Sequence, residues 1–266
     1  EYYKKKNFDI DEREIAKYFP VQNVLEKAFE LYQKFLGLKF KIVETGNLWH
    51  KDVMTIQIYD KESNDFRGTL FLDLYPRENK YSHACELTVV LATKSKNPEI
   101  DRYNKVPAIV VIIANFPKAT KDKPELLKFN DVETFFHEFG HAMHEFLGRT
   151  EMNKFSGSNV KLDFAEMPSQ VFEEWLWNKD ILKMLTRHYK TGKPLSDELI
   201  DKKISLKKFD SGYMITKLCF SSFVSLDYYA AGANKDTDKI KKELHDKYIR
   251  YIAYDTKYHF QASFTQ

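Results

Sequence analysis

The stretch Asn130-Asp-Val-Glu-Thr-Phe-Phe-His-Glu-Phe-Gly-His-Ala-Met-His-Glu-Phe-Leu-Gly148 decides how the rest of this chain is read. Within it, His137-Glu-Phe-Gly-His141 spells H-E-x-x-H. Val132, Phe135, Phe136, Phe139, Met143 and Phe146 recur at helical spacing and form one apolar stripe. The two histidines fall on the opposite side of the helical wheel. Four residues apart, they sit one turn above each other, so both imidazoles can reach a single metal ion. Glu138 lies between them and points aside, toward the place of a metal-activated water. Asn130 is the expected N-cap, Glu133 completes a capping-box-like start, and Gly148 ends the run as a C′ residue.

A catalytic zinc site commonly takes three protein ligands and keeps one position for water. The three-histidine metzincin pattern needs Gly and His at offsets of seven and ten from the first histidine. Those positions hold His144 and Leu147, which excludes it. His144 is rotated around the helix and reads as a polar residue or supporting donor. A carboxylate from a following helix is the other solution. Lys161-Leu-Asp-Phe-Ala-Glu166-Met-Pro-Ser-Gln170 fits, with Asp163 as N-cap and Pro168 near the helix start. Glu166 and Glu173 are seven apart and share a face. One can bind metal while the other orients a ligand histidine.

The residues from Val132 to Trp175 resemble the thimet oligopeptidase and neurolysin family of zinc peptidases, a gluzincin family. The likeness is carried by Phe136-His-Glu-Phe-Gly-His-Ala-Met-His144, Phe155-Ser-Gly-Ser158, Asp163-Phe-Ala-Glu166-Met-Pro-Ser-Gln170, Glu173 and Trp175. Tyr18-Phe-Pro20, Trp49-His50, Leu72-Asp-Leu-Tyr-Pro-Arg77 with Lys80, and Ala114-Asn-Phe116 extend it upstream. Ser158 stands where threonine is common in the family, and Ala165 where valine is common. The resemblance implies a zincin-like fold, Zn2+ held by His137, His141 and Glu166, and Glu138 as general base. Glu173 is then left to orient a ligand from outside. It also implies hydrolysis of short peptides and a stretch from the catalytic region of a longer peptidase. Family members carry a helical region ahead of the Tyr18 motif. They also carry a Tyr- and His-bearing substrate segment after a run like Phe260-Gln-Ala-Ser-Phe264. The alternative expectation is a zinc-binding, catalytically incomplete peptide-binding fragment.

The chain has 266 residues, enough for a sizeable core. Its 42 basic and 39 acidic residues nearly balance, at a net charge of +3, which argues against a dedicated nucleic-acid binder. The strongest apolar run, Ala108 to Ala114, is too short to span a bilayer, so no membrane partner is expected. Two cysteines, Cys85 and Cys219, make no disulfide framework and suit a reducing, cytoplasmic location. Nothing in the pattern signals an oligomeric state.

Residues up to about 36 read as helix, ended by Gly37. Short β-branched or aromatic runs follow: Phe40 to Val43, Met54 to Tyr59, Gly68 to Leu74, Glu86 to Leu91 and Ala108 to Ala114. The last is apolar on both faces and is expected inside the sheet. Beyond Asn130 the pattern is helical, with long helices expected over Ser169–Thr191, Asp197–Ala231 (broken near Phe209 to Gly212) and Thr237–Thr256. The expected architecture is α+β and mainly helical: a small twisted sheet beside the motif helix, then a helical bundle. Residues 1–130 form the helix-and-sheet subregion and residues 131–266 the zinc-binding subregion of one catalytic domain. Gly68-Thr-Leu-Phe-Leu-Asp-Leu-Tyr75 is the expected edge strand for an extended peptide, with Gly68, Leu70 and Phe71 as contacts. Gly157, in the loop Phe155–Asn159, is a further expected substrate contact.

Overall fold

A computed structural model of the chain describes residues 2–94, 106–121 and 124–263. Phe264, quoted above, lies outside them. Three short helices open the chain: α1 (Tyr2–Phe8), α2 (Glu12–Ala16) and α3 (Val21–Leu36). Five strands follow: β1 (Leu38–Val43), β2 (Met54–Asp60), β3 (Phe66–Asp73), β4 (Cys85–Val90) and β5 (Ala108–Ile113). Then come α4 (Phe129–Leu147), α5 (Leu162–Ala165), α6 (Met167–Glu174), α7 (Lys179–Leu185), α8 (Asp197–Ser205), α9 (Ser211–Tyr229) and α10 (Thr237–Tyr248). The α+β expectation holds.

Two compact units divide the chain, Glu1–Ile204 and Ser205–Gln266. The first contains the sheet and the motif helix together. In the second, α9 and α10 pack around Phe220, Val224 and Ile249, with Tyr228, Leu244 and Tyr248 against them. Asp210, at φ +62, separates α8 from α9 at the expected break. Among the described residues no helix is long and apolar enough to cross a membrane.

The sheet order is β1-β2-β3-β5-β4. Only β3 and β5 run parallel; the other pairs are antiparallel. Strand β5 is interior, as its two-faced apolarity predicts. Strand β3 is interior as well, paired to β2 on one side and β5 on the other. The edge-strand expectation for Gly68–Tyr75 is therefore overturned: its main-chain groups are consumed by the sheet. Leu70 is fully buried in the core, and Phe71 packs its ring 5.4 Å from that of Trp49. Gly68 is glycine for packing, because a Cβ there would lie 2.1 Å from the Ala108 carbonyl oxygen and 2.7 Å from the Phe146 ring. Among the described residues the edges are β1 and β4.

Helix α4 lies on the sheet face formed by Leu70, Leu72, Val110 and Ile112, all fully buried. Tyr32 of α3 covers α4 from the other side and donates its hydroxyl to the Phe136 carbonyl at 3.3 Å. The rings of Phe29, Tyr32, Phe40 and Phe139 interlock there. The start of α4 differs from expectation. Lys128, not Asn130, is the N-cap, and Asp131 supplies the capping carboxylate by accepting the Lys128 amide at 2.8 Å. The expected helix over Ser169–Thr191 is interrupted at Trp175–Trp177, and Asn178 caps a new helix by accepting the Asp180 and Ile181 amides. The last helix ends at Tyr248, short of Thr256.

Asp73, at the end of β3, explains one quoted run. Its carboxylate accepts Arg77 through two bonds of 2.7 Å, the Trp49 indole at 2.9 Å and Lys80 at 2.9 Å. Lys80 also donates to the carbonyls of Asp73, Tyr75 and Ala114, tying β3 to the exit of β5. Burial raises the Asp73 pKa, but these donors outweigh it and hold the carboxyl well below the usual range. A depressed folded-state pKa contributes stability above the unfolded value of about 3.9, lost as pH falls through the folded one. Asp73→Asn is expected to cost about 3 kcal/mol at neutral pH, as for other broken buried pairs. Urea denaturation should show this gap closing on acidification below about pH 4.

Candidate metal centre

The donor set is built by two helices that approach unusually closely. Gly140, the residue before His141, faces Ser169 of α6; a Cβ there would lie 2.7 Å from the Ser169 Cα and 3.0 Å from the Phe172 ring. Only glycine allows α4 and α6 to meet at this distance. Ser169 is itself fully buried, and its hydroxyl lies 2.8 Å from the Glu166 carbonyl and 3.2 Å from Glu166 Oε2. Glu166 sits at the junction of α5 and α6, and Pro168 at the start of α6 sets the turn. Asp163 lies inside α5 rather than capping it; the N-cap is Lys161.

His137 Nε2 and His141 Nε2 are 3.1 Å apart. Glu166 Oε2 is 3.2 Å from the first and 3.1 Å from the second. The three atoms thus form a nearly equilateral triangle. Tetrahedral zinc with bonds of 2.0–2.1 Å has ligand–ligand edges of about 3.3 Å, so this donor set fits such a cation. Among the described residues it is also the group whose donors converge closely enough to hold a metal. His137 Nδ1 lies 2.5 Å from Glu173 Oε1. That carboxylate takes the Nδ1–H and leaves the Nε2 lone pair facing the triangle. His141 is 13% and Glu166 56% exposed at the side chain, so the triangle opens to solvent on the carboxylate side.

Glu138 is buried on α4, 8% exposed, near enough for its charge to act on Cys85 and Glu86 of β4. His144 stays out of the donor set. Burial lowers its pKa, Nδ1 is sealed without a partner, and its ring meets Phe164 edge-on. The loop Phe155–Asn159 is fastened to the end of α4. Glu145 is fully buried and accepts the Ser158 amide at 2.7 Å, and Ser156 donates its hydroxyl toward the Gly148 and Ala92 carbonyls. Gly157, at φ +57, rests against the Glu145 carboxylate, where a Cβ would overlap it. Gly148 also serves close packing, against Gly157, and has an ordinary φ of −77. The sequence reading missed Gly140, Ser169 and Glu145; of these, only a glycine inside a long helix was visible as a signal.

Glu173→Gln should leave the fold intact and weaken zinc binding by about ten- to a hundredfold, measured by competition with a chromophoric chelator. Gly140→Ala should force α4 and α6 apart, lowering thermal stability and zinc affinity together, whereas an ordinary exposed helical Gly→Ala change stabilises by about 1 kcal/mol.

Known proteins resemble this chain in sequence. Saccharolysin of Saccharomyces cerevisiae is 36% identical over 82% of this chain and 31% of its own length. Thimet-like oligopeptidase of Dictyostelium discoideum is 37% identical over 77% of this chain and 30% of its own. Oligopeptidase A of Escherichia coli is 33% identical over 79% and 30%. The chain thus spans about a third of the length of the relatives it matches. The model of peptidase family M3 matches residues 1–266, and the chain belongs to that family.

Proposed function

We propose that this chain carries the zinc-binding and proton-transferring part of a metallo-oligopeptidase acting on short peptides. The observation that carries the reading is the convergence of His137 Nε2, His141 Nε2 and Glu166 Oε2 within 3.2 Å of one another. Imidazole nitrogens and a carboxylate suit zinc over magnesium or calcium. When bound, zinc acidifies a water molecule and polarises the carbonyl under attack.

The chain's own residues do the rest. Glu138 takes the proton of the attacking water and passes it to the leaving amine. Glu138 directly follows His137 in α4. Glu173 fixes the His137 ring, and Ser169 steadies the Glu166 carboxylate. Strand β4 aligns the substrate: among the described residues its outer edge has no partner strand, so a peptide can add to the sheet through main-chain bonds. Relatives named oligopeptidases support short peptides as the substrate class. The two free cysteines support a reducing, cytoplasmic location.

The decisive experiment is Glu138→Gln. Metal analysis should find one zinc per chain retained, and cleavage of an internally quenched peptide should fall by at least about a hundredfold. Near-full turnover in that variant would remove Glu138 from its role.

A further inference from the structure

The edge strand carries a carboxylate that the proposed chemistry does not use. Glu86 of β4 pairs with Ile112 and Thr88 with Val110. Cross-strand partners share a face, and Val110 and Ile112 lie on the buried face beneath α4. Glu86 and Thr88 therefore point toward α4, while Leu87 and Val89 point away and are 51% and 62% exposed. The helix offers Glu138 and Glu145 on that side, and these are the two charges that act most strongly on Glu86. The Thr88 hydroxyl donates to Glu86 Oε1 at 2.9 Å. Glu86 Oε2 has no hydrogen-bonding partner among the described residues, and the residue is only partly buried.

This is an unusual place for an acid. Burial raises the Glu86 pKa to about 7, the Thr88 bond opposes the rise, and the negative charges of Glu145 and Glu138 add to it. The neighbouring Cys85 thiol is raised by burial, with Glu138 and Glu86 adding to the effect. What the position lacks is a cation, and an extended peptide added along β4 brings alternate side chains to this face. We infer that Glu86 is a specificity-determining residue that selects peptides bearing an arginine or lysine side chain next to the scissile bond. The free Oε2 accepts one N–H of the guanidinium or ammonium group, and the guest charge offsets the repulsion between Glu86 and Glu138.

The inference rests on the peptidase reading, and its test separates the two. Reduced-amide peptides that cannot be cleaved are made in pairs, arginine against neutral, isosteric citrulline, at each of the two positions flanking the central bond. Their dissociation constants are measured on the zinc-loaded protein and on Glu86→Gln, an isosteric change that sheds a buried charge and should keep the fold. At one position the wild type should prefer arginine by about tenfold, and the preference should weaken with added salt. Glu86→Gln should erase it while leaving the citrulline peptide within about twofold. Glu86→Asp, which keeps the charge, should retain part of the preference. An arginine preference that survives in Glu86→Gln, or is absent from the wild type, overturns the assignment. Cleavage of the matching ordinary citrulline peptide by wild type tests the peptidase reading on its own.

Discussion

The contact between Gly140 and Ser169 is the constraint on which the site depends. Two helix backbones meet there with no room for a single methyl group. Because they do, the α6 face carrying Glu166 and Glu173 reaches the two imidazoles of α4. Glu166 arrives at the triangle, and Glu173, two turns along, arrives at the far nitrogen of His137. Any side chain at 140 would widen the gap for both carboxylates at once. The aromatic residues behind α6 press in the same direction: Tyr32 of α3 lies against Phe172 and Trp175.

The sheet contributes in two ways. Its buried face seats α4, through Gly68 under Phe146 and through the apolar side chains of β3 and β5. Among the described residues its β4 edge has no further partner strand and runs beside the same helix, where the Glu138 charge acts on Glu86. The site thus lies on a helix that crosses the sheet face beside its β4 edge. The Asp73 cluster keeps that arrangement from slipping by joining the ends of β3 and β5 to Trp49 and Lys80.

Much of this was legible in the residue order. The two histidines, the intervening acid and the pair of glutamates seven apart are spacing signals, and spacing survives whatever the tertiary fold does. The five strands were legible as apolar runs, and the two-faced character of Ala108–Ala114 marked it as interior. The order of strands was not. β5 inserts between β3 and β4, a crossover that leaves no local trace, so Gly68–Tyr75 read as an edge when it is enclosed. Gly68 itself was ambiguous, since close backbone approach and substrate contact ask for the same residue. Asn130 lost the cap to Lys128 because Asp131 could reach back one turn, a competition between adjacent polar residues that propensity does not rank. The break at Trp175–Trp177 was masked by continuous apolar periodicity, although Asn178 followed by Lys-Asp is a readable new start.

The chain distances involved are alike for the site and for its platform. His137 and Glu173, which tie α4 to α6, are 36 residues apart. Gly68 and Ala108, partners in the parallel pair beneath them, are about 40 apart. Loop-closure entropy changes by only about 0.6 kcal/mol for each doubling of length. Chain length therefore favours neither closure, and the helical pair and the strand crossover carry comparable entropic costs.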